Sequence, residues 1–131
     1  MGWCNVCDEN DLVTNSGICV LLQGQQVAIF QLQQANGTEL CAVGNYDPIG
    51  GANVLSRGIA GSCGDAVVVA SPLYKQHFNL RTGECLEYPG ICVPVYAVKL
   101  QQGRVWLHSV PQQLLLQATA QVTTKAEATA A

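Results

Sequence analysis

The chain has 131 residues, of which 49% are hydrophobic and 11% are charged, and its formal net charge is −3. This length is typical of a single domain. Six basic residues against nine acidic ones leave no basic patch for nucleic acid or for an anionic membrane surface. No apolar run approaches the roughly 18 residues that a membrane-spanning helix needs.

The first notable feature along the chain is a cysteine pair. Cys4 and Cys7 have the Cys-x-x-Cys spacing of a dithiol redox pair or of half a zinc site. No second pair at short spacing follows, and residues three apart in a strand point to opposite faces, so we expect no shared site. Met1–Glu9 lacks the basic and apolar regions of a signal peptide, so we expect a cytoplasmic chain with reduced thiols. The other cysteines are Cys19, Cys41, Cys63, Cys85 and Cys92.

The first half of the chain predicts a hairpin followed by a long loop. Gln26–Leu32 and Thr38–Val43 are rich in strand formers, and Asn36-Gly37 between them favours a tight type I′ turn. Asp47–Gly58 shows no alternation and is interpreted as an ordered loop with one helical turn. Gly58–Gly64 is glycine-rich but lacks the order of a nucleotide-binding loop, so it is predicted to be a surface turn.

The second half predicts three further strand regions. Ala66–Ala70 has the length and composition of a strand buried on both faces. A short strand over Gln76–Leu80 turns back at Thr82-Gly83 into Glu84–Leu86. The last hairpin pairs Val95–Leu100 with Arg104–His108 through Gln102-Gly103. Short strands separated by turn signals predict an all-β fold of antiparallel sheets, as a sandwich or barrel.

Residues 111–131 differ from the rest of the chain. Pro111 at the start of Gln112–Ala118 favours a short helix, and Gln121–Ala131 is Ala/Thr-rich with little to bury, which is typical of a frayed tail. We therefore expect one domain over residues 1–110, then a short helix and a flexible tail. His77 and His108 lie in no nucleophile motif, so no catalytic residue is predicted.

Two loop motifs carry a specific resemblance. Ser71–Gly83 resembles the second cluster-binding loop of Rieske ferredoxins, Cys-Pro-x-His-Gly-x-x-Phe-(Asp/Asn)-x-x-Thr-Gly, and Asn45–Gly58 resembles the first. Ser71 stands where that family has its cysteine and Tyr74 where it has its histidine, while residues 45–56 contain neither Cys nor His. A Rieske centre needs two thiolates and two imidazoles, so no [2Fe–2S] cluster and no other metal is expected here.

The motifs together resemble the small subunit of assimilatory NAD(P)H-dependent nitrite reductases. The resemblance implies a Rieske-like all-β domain that lacks the cluster ligands and is not catalytic by itself. It also implies a large catalytic subunit as partner, carrying FAD, a [4Fe–4S] cluster and sirohaem and reducing nitrite to ammonia. The matching segments are Trp3–Cys7, Asp11-Leu12, Gln26–Phe30, Asn45–Pro48, Val54–Gly58 and Ser71–Phe78.

The retained loops suggest where such a partner docks. Arg57 and Lys75 are predicted docking charges, Tyr74 is a predicted aromatic anchor, and Ser71 of the same motif is a further predicted docking residue. Alternatively, residues 72–74 fill the space that a cluster would occupy. Two other functions stay open at this point: a Rieske-type ferredoxin for electron transfer, and a thiol or metal module that uses Cys4 and Cys7 with Cys19 or Cys41. Preference for NADH or NADPH and self-association are also open.

Overall fold

The computed structural model describes residues 2–114, which form antiparallel strands and short connections. No helix among these residues is long and apolar enough to cross a membrane. Two 3₁₀ turns cover Glu9–Asp11 and Leu55–Arg57. The strands are β1 (Trp3–Asp8), β2 (Ser16–Leu22), β3 (Gln25–Gln34), β4 (Gly37–Gly44), β5 (Tyr46–Asp47), β6 (Ala52–Asn53), β7 (Ile59–Cys63), β8 (Ala66–Ala70), β9 (His77–Asn79), β10 (Val95–Tyr96), β11 (Val98–Gln101) and β12 (Arg104–His108).

The sheets are stacked in three layers around β3. The central sheet has the order β10-β4-β3-β2, and it lies between the sheets β7-β8-β9 and β1-β12-β11; β5 and β6 form a small separate ribbon. Alternate residues of a strand face opposite sides, and here both sides are buried: Ala28 and Phe30 pack towards β8 and β9, while Val27 and Ile29 pack towards β12. The predicted all-β antiparallel fold is confirmed.

Two of the tight turns between neighbouring strands have the positive φ angles of a two-residue hairpin, and a third predicted turn does not. Gln102-Gly103 has φ values of 54° and 76° and joins β11 to β12 as predicted, because positive φ at both positions suits the twist of a two-residue hairpin. Gln23-Gly24 also has positive φ at both positions and forms the corresponding turn between β2 and β3. The type I′ turn predicted at Asn36-Gly37 is wrong: the loop is Ala35-Asn36, and the positive φ (132°) falls on Gly37 alone, the first residue of β4.

Several other predicted elements are confirmed. β8 has the predicted limits, and Val67, Val68 and Val69 are buried. The short strand before Thr82 is present as β9, and the chain returns to it through a single Phe78–Cys85 bridge. The helical turn expected in the 47–58 loop is Leu55–Arg57.

Two predicted elements need correction because their pairing is not local. Val95–Leu100 is not one strand: β10 pairs with β4 in the central sheet, whereas β11 pairs with β12 in an outer sheet, so the chain changes layer at Ala97. Gly58–Gly64 is not a surface turn, because Ile59–Cys63 pairs in continuous register with β8. That strand, β7, forms the outer edge of its sheet and is largely exposed.

The N-terminal cysteine pair also differs from the prediction. A register shift between Asn5 and Cys7 interrupts the alternation of β1, so Cys4 and Cys7 pack on the same apolar cluster, not on opposite faces as predicted.

At the C-terminal end of the described residues, residues 112–114 are helical after Pro111. The rest of the predicted helix and the predicted tail, residues 115–131, lie outside the described residues.

Candidate functional site

The two loops that carry the sequence resemblance meet at one end of the layers. The first loop is held by Asn45, which is 2% exposed. Its Oδ1 accepts a hydrogen bond from the Ser56 N–H at 2.7 Å, and its Nδ2 donates to Gln26 Oε1 at 2.9 Å. The Leu55 N–H also donates to the Asn45 carbonyl at 3.1 Å. These bonds fix the backbone immediately before Arg57.

Asp47 is the second buried polar residue of the first loop, with no exposed surface. Its Oδ1 accepts hydrogen bonds from the backbone N–H groups of Ile49 at 2.8 Å and Gly50 at 3.0 Å. Its Oδ2 accepts a hydrogen bond from the Ser71 hydroxyl at 2.5 Å. Ser71 is 1% exposed, so this bond joins the two loops inside the protein.

The second loop is organised around Ser71. The Leu73 N–H donates to the Ser71 hydroxyl oxygen at 3.3 Å, and the Lys75 N–H donates to the Ser71 carbonyl at 3.0 Å. Lys75 has φ 64°, in the left-handed region that non-glycine residues seldom occupy. Tyr74, at the tip, is 66% exposed, so it does not fill an internal space.

A groove of about 320 Å³ opens beside these loops. Ile59, Ala70 and His77 are cross-strand neighbours on β7, β8 and β9 and form its floor together with the loop residues, with Ile59 and Ala70 as the apolar part. Gly58 lets the chain pass close to β8, since a Cβ there would lie 2.4 Å from the Ala70 carbonyl oxygen. The lining residues are Arg57, Gly58, Ile59, Ala70, Ser71, Pro72, Lys75 and His77.

Charge is distributed unevenly around this groove. Within residues 2–114, Arg57 and Lys75 form no ion pair, whereas Arg81 pairs with Glu39 and Arg104 pairs with Asp8. Lys99 lies 4.3 Å from the centroid of the Trp3 ring. Two cations without a carboxylate partner therefore flank one groove on a chain that is acidic as a whole.

His77 at the groove is paired with an acidic residue. Its Nδ1 lies 2.7 Å from Glu87 Oε2, and its backbone N–H donates to Glu87 Oε1 at 2.8 Å. The backbone hydrogen bond from His77 is the main cause that lowers the pKa of Glu87. His108 lies away from the groove, packed edge-on against Trp3, so the structure does not bring the two histidines together.

The donor atoms of the two loops do not fit a [2Fe–2S] cluster. Such a centre in a Rieske domain takes two thiolates and two imidazoles, and the loops present a carboxylate, a hydroxyl and an exposed phenol instead. Asp47 and Ser71 already satisfy each other. No group of three or more His, Cys, Asp or Glu residues suited to a metal occurs in the described part of the chain.

The cysteines do not form a second candidate site in the described residues, where all seven are free. Cys7 and Cys41 lie on opposite sides of the central sheet, in different apolar clusters. Burial raises the pKa of Cys41 to about 12, and burial also raises the pKa of Cys7 and Cys19. Thiols held in this way are poor nucleophiles and poor metal ligands, so the arrangement gives no support to a module built on Cys4 and Cys7.

Sequence reasoning singled out Arg57, Ser71, Tyr74 and Lys75, which stay predictions as docking residues, and did not single out Asn45 and Asp47. The available signal was a polar pair, Asn45 and Asp47, directly after the apolar run of β4 and before Pro48. Neither residue type predicts burial by itself. Their importance depends on contacts with distant positions, which a local pattern does not contain.

Comparison with known proteins places this geometry among related chains. The family described as Rieske-like [2Fe–2S] domain matches residues 2–108. The nitrite reductase (NADH) small subunit of Salmonella typhimurium is 38% identical over 105 residues, which cover 80% of this chain and 95% of that protein. The solution structure of the nitrite reductase [NAD(P)H] small subunit from Erwinia carotovora is 40% identical, with a TM-score of 0.66, and the match covers 82% of this chain and 81% of that one.

A segment of a much longer protein is also similar to this chain. The nitrite reductase [NAD(P)H] large subunit of Klebsiella oxytoca is 37% identical over 118 residues. That match covers 90% of this chain but only 12% of the Klebsiella protein.

Proposed function

Because this chain belongs to the Rieske-like [2Fe–2S] domain family and to the nitrite reductase small subunits, we propose that it acts as the accessory small subunit of an NAD(P)H-dependent nitrite reductase. In this role it docks on a large catalytic subunit in the cytoplasm and supports the reduction of nitrite to ammonia in nitrate and nitrite assimilation. The observation that carries the docking role is a pair of cations at one groove, Arg57 and Lys75, which form no ion pair with the described residues.

The partner is supported by the Klebsiella oxytoca match. A protein named a large subunit contains a segment similar to 90% of this chain. We infer that a domain of this kind, which is a separate chain here and a segment of a longer polypeptide in the Klebsiella protein, works beside that polypeptide in both cases. The large subunit is therefore the natural partner, and the family resemblance implies that it carries FAD, a [4Fe–4S] cluster and sirohaem.

This chain carries no cofactor of its own in the proposal, and it is not catalytic alone. Support comes from the chemistry of the donor set: carboxylate and hydroxyl oxygens are poor replacements for the thiolates and imidazoles of a Rieske centre. Residues 1–110 act as the docking domain and residues 111–131 as an appendage to it, in keeping with a family match that ends at residue 108.

The proposed docking surface is the loop end that contains Arg57, Tyr74 and Lys75. Tyr74 is largely exposed, and a rigid exposed aromatic side chain next to cations is typical of an interface anchor. Ser71 contributes indirectly, because its hydroxyl is buried and turned towards Asp47. The complementary surface on the large subunit is acidic, with an apolar residue facing the groove floor.

Charge reversal tests this assignment. The full chain carrying Arg57→Glu and Lys75→Glu is mixed with the large subunit, and complex formation is measured by co-purification and by titration at two salt concentrations. We expect wild-type affinity to fall as salt rises and the double variant to bind at least about tenfold more weakly, because rim charges steer association and oppose like charges.

A matched control uses cations elsewhere on the chain. Lys99→Glu with Arg104→Glu changes the net charge by the same amount on the sheet formed by β11 and β12; because Lys99 contacts Trp3 and Arg104 pairs with Asp8, binding is compared only after both double variants are shown to unfold cooperatively. If the control weakens binding as much as the loop-end variant, or if the loop-end variant binds like wild type, the docking surface is wrong. If wild type does not bind the large subunit or change its nitrite-dependent oxidation of NAD(P)H, the proposed function is wrong.

A further inference from the structure

In a Rieske-like domain a metal cluster ties two loops together, and the donor set of this chain does not fit one. The loops nevertheless meet at a buried polar contact, the hydrogen bond from the Ser71 hydroxyl to Asp47 Oδ2 across 24 residues of sequence. We propose that this Asp47–Ser71 bridge takes over the mechanical role of the cluster and presets the docking surface before the partner binds. This inference rests on the proposed function.

Within the bridge, Asp47 and Ser71 each make hydrogen bonds to their own loop in addition to the bond that they share. Asp47 Oδ1 accepts the N–H groups of Ile49 and Gly50 and so closes the first loop, which leaves Oδ2 for Ser71. The Ser71 oxygen accepts the Leu73 N–H and so closes the second loop, while its proton goes to Asp47. Each partner orders its own loop and the shared bond fixes the two loops relative to each other.

The surroundings make this bond strong. Both side chains are essentially inaccessible to water, so the bond is not weakened by competition with solvent. A bond between a hydroxyl and a carboxylate is a charge-assisted one. If either partner is removed, the other becomes a buried polar group without its match, which is more costly than the loss of an exposed bond.

The bridge is connected through the Ser71 backbone to one of the docking cations, Lys75. The Lys75 N–H donates to the Ser71 carbonyl at 3.0 Å, and Lys75 holds φ 64°, a conformation that relaxes unless the surroundings impose it. On the other loop, Gly51 N–H donates to the Asp47 carbonyl at 2.7 Å. We therefore expect release of the bridge to loosen the turn between Ser71 and Lys75, and with it the backbone of Lys75.

The test compares single and double variants of the bridge in the full chain. Ser71→Ala removes the hydroxyl, and Asp47→Asn keeps an oxygen for the backbone N–H groups of the first loop while changing the atom that faces Ser71. We expect Ser71→Ala to unfold cooperatively but to bind the large subunit about tenfold more weakly. The double variant should weaken binding no more than the worse single variant, because both remove one shared bond.

Hydrogen exchange separates this role from general stability. In Ser71→Ala we expect the amide of Lys75 to exchange at least about tenfold faster, while amides of β3 keep their wild-type order of protection. Ser62→Ala, at an exposed serine of β7, is the matched control and should change neither readout. Wild-type affinity in Ser71→Ala, or faster exchange spread evenly over β3 and the loops, overturns the proposal.

A measurement on the wild-type chain does not depend on how the variants fold. Exchange of the Gly50 and Leu73 amides is recorded before and after treatment with a chelator and dithionite, together with iron and sulfide analysis. The proposal expects unchanged protection, and loss of protection with release of iron overturns it. Failure of wild type to bind the large subunit removes the proposed function, whereas the exchange results still decide whether the bridge holds the loops.

Discussion

Replacement of Asn45 by alanine is the most informative stability test of the loop end. The side chain is 2% exposed and supplies the acceptor for the Ser56 N–H at 2.7 Å and a donor to Gln26 Oε1 at 2.9 Å. The alanine variant leaves the half-buried Ser56 N–H without a partner, which costs about 1–3 kcal/mol. Gln26 is exposed and can bond to water instead, so loss of its hydrogen bond to Asn45 adds only about 0.5 kcal/mol.

We therefore expect Asn45→Ala to lower the free energy of unfolding by about 1.5–3.5 kcal/mol. The assay is urea unfolding of the full chain, followed by the fluorescence of Trp3 and Trp106. Asn53→Ala is the matched control, because Asn53 lies on the same loop but is exposed, and a surface change of this kind costs less than about 0.5 kcal/mol. Equal midpoints for the two variants would refute the argument that the Asn45 amide holds the first loop.

Thiol reactivity, acid stability and amide exchange each test a different contact elsewhere in the structure. In the native chain at mild alkaline pH, a thiol reagent should modify exposed Cys92 quickly and leave Cys41 unmodified, since burial raises the pKa of Cys41 to about 12; equal rates would contradict the packing. Hydrogen bonds from Arg81 lower the pKa of Glu39 below 4.5, so this pair stabilises the fold above that pH and the benefit is lost as pH falls through the lowered value. The stability difference between wild type and Arg81→Ala should accordingly shrink in acid, and a constant difference across the acid range would contradict it. Gln113→Ala should speed amide exchange at the edge of β10, whose backbone the Gln113 amide clamps, and unchanged exchange there would show that the clamp does not hold.

The parts of the fold that were predictable depend on neighbours in sequence. β8 was recognisable because a short run with three consecutive valines favours a buried strand, and Gln102-Gly103 was recognisable because its dihedrals are a local property. β10 and β7 were not, since their character is decided by pairing with β4 and β8. Local propensity is a weak guide where a strand is short or exposed on most of its surface.

Local sequence likewise allowed only part of the candidate site to be predicted. Arg57, Tyr74 and Lys75 could be proposed because they belong to contiguous motifs, and in the structure they are exposed or line the groove at the surface. The burial of Ser71 and its bond to Asp47 were not predictable, because the two residues are far apart in sequence and become neighbours only after the layers have packed. The bridge therefore belongs to the tertiary structure and not to the motif.

The edge formed by β7 has a consequence for handling the isolated chain. No strand among the described residues pairs with its outer side, and Ile59–Cys63 contains no charged residue, no proline and no bulge in its pairing with β8. Ile59 is 77% exposed. Such an edge is a template for aggregation between copies. Co-expression with a partner that covers the loop end is expected to raise the soluble yield, and a lysine in place of Ser62 should do so without a partner.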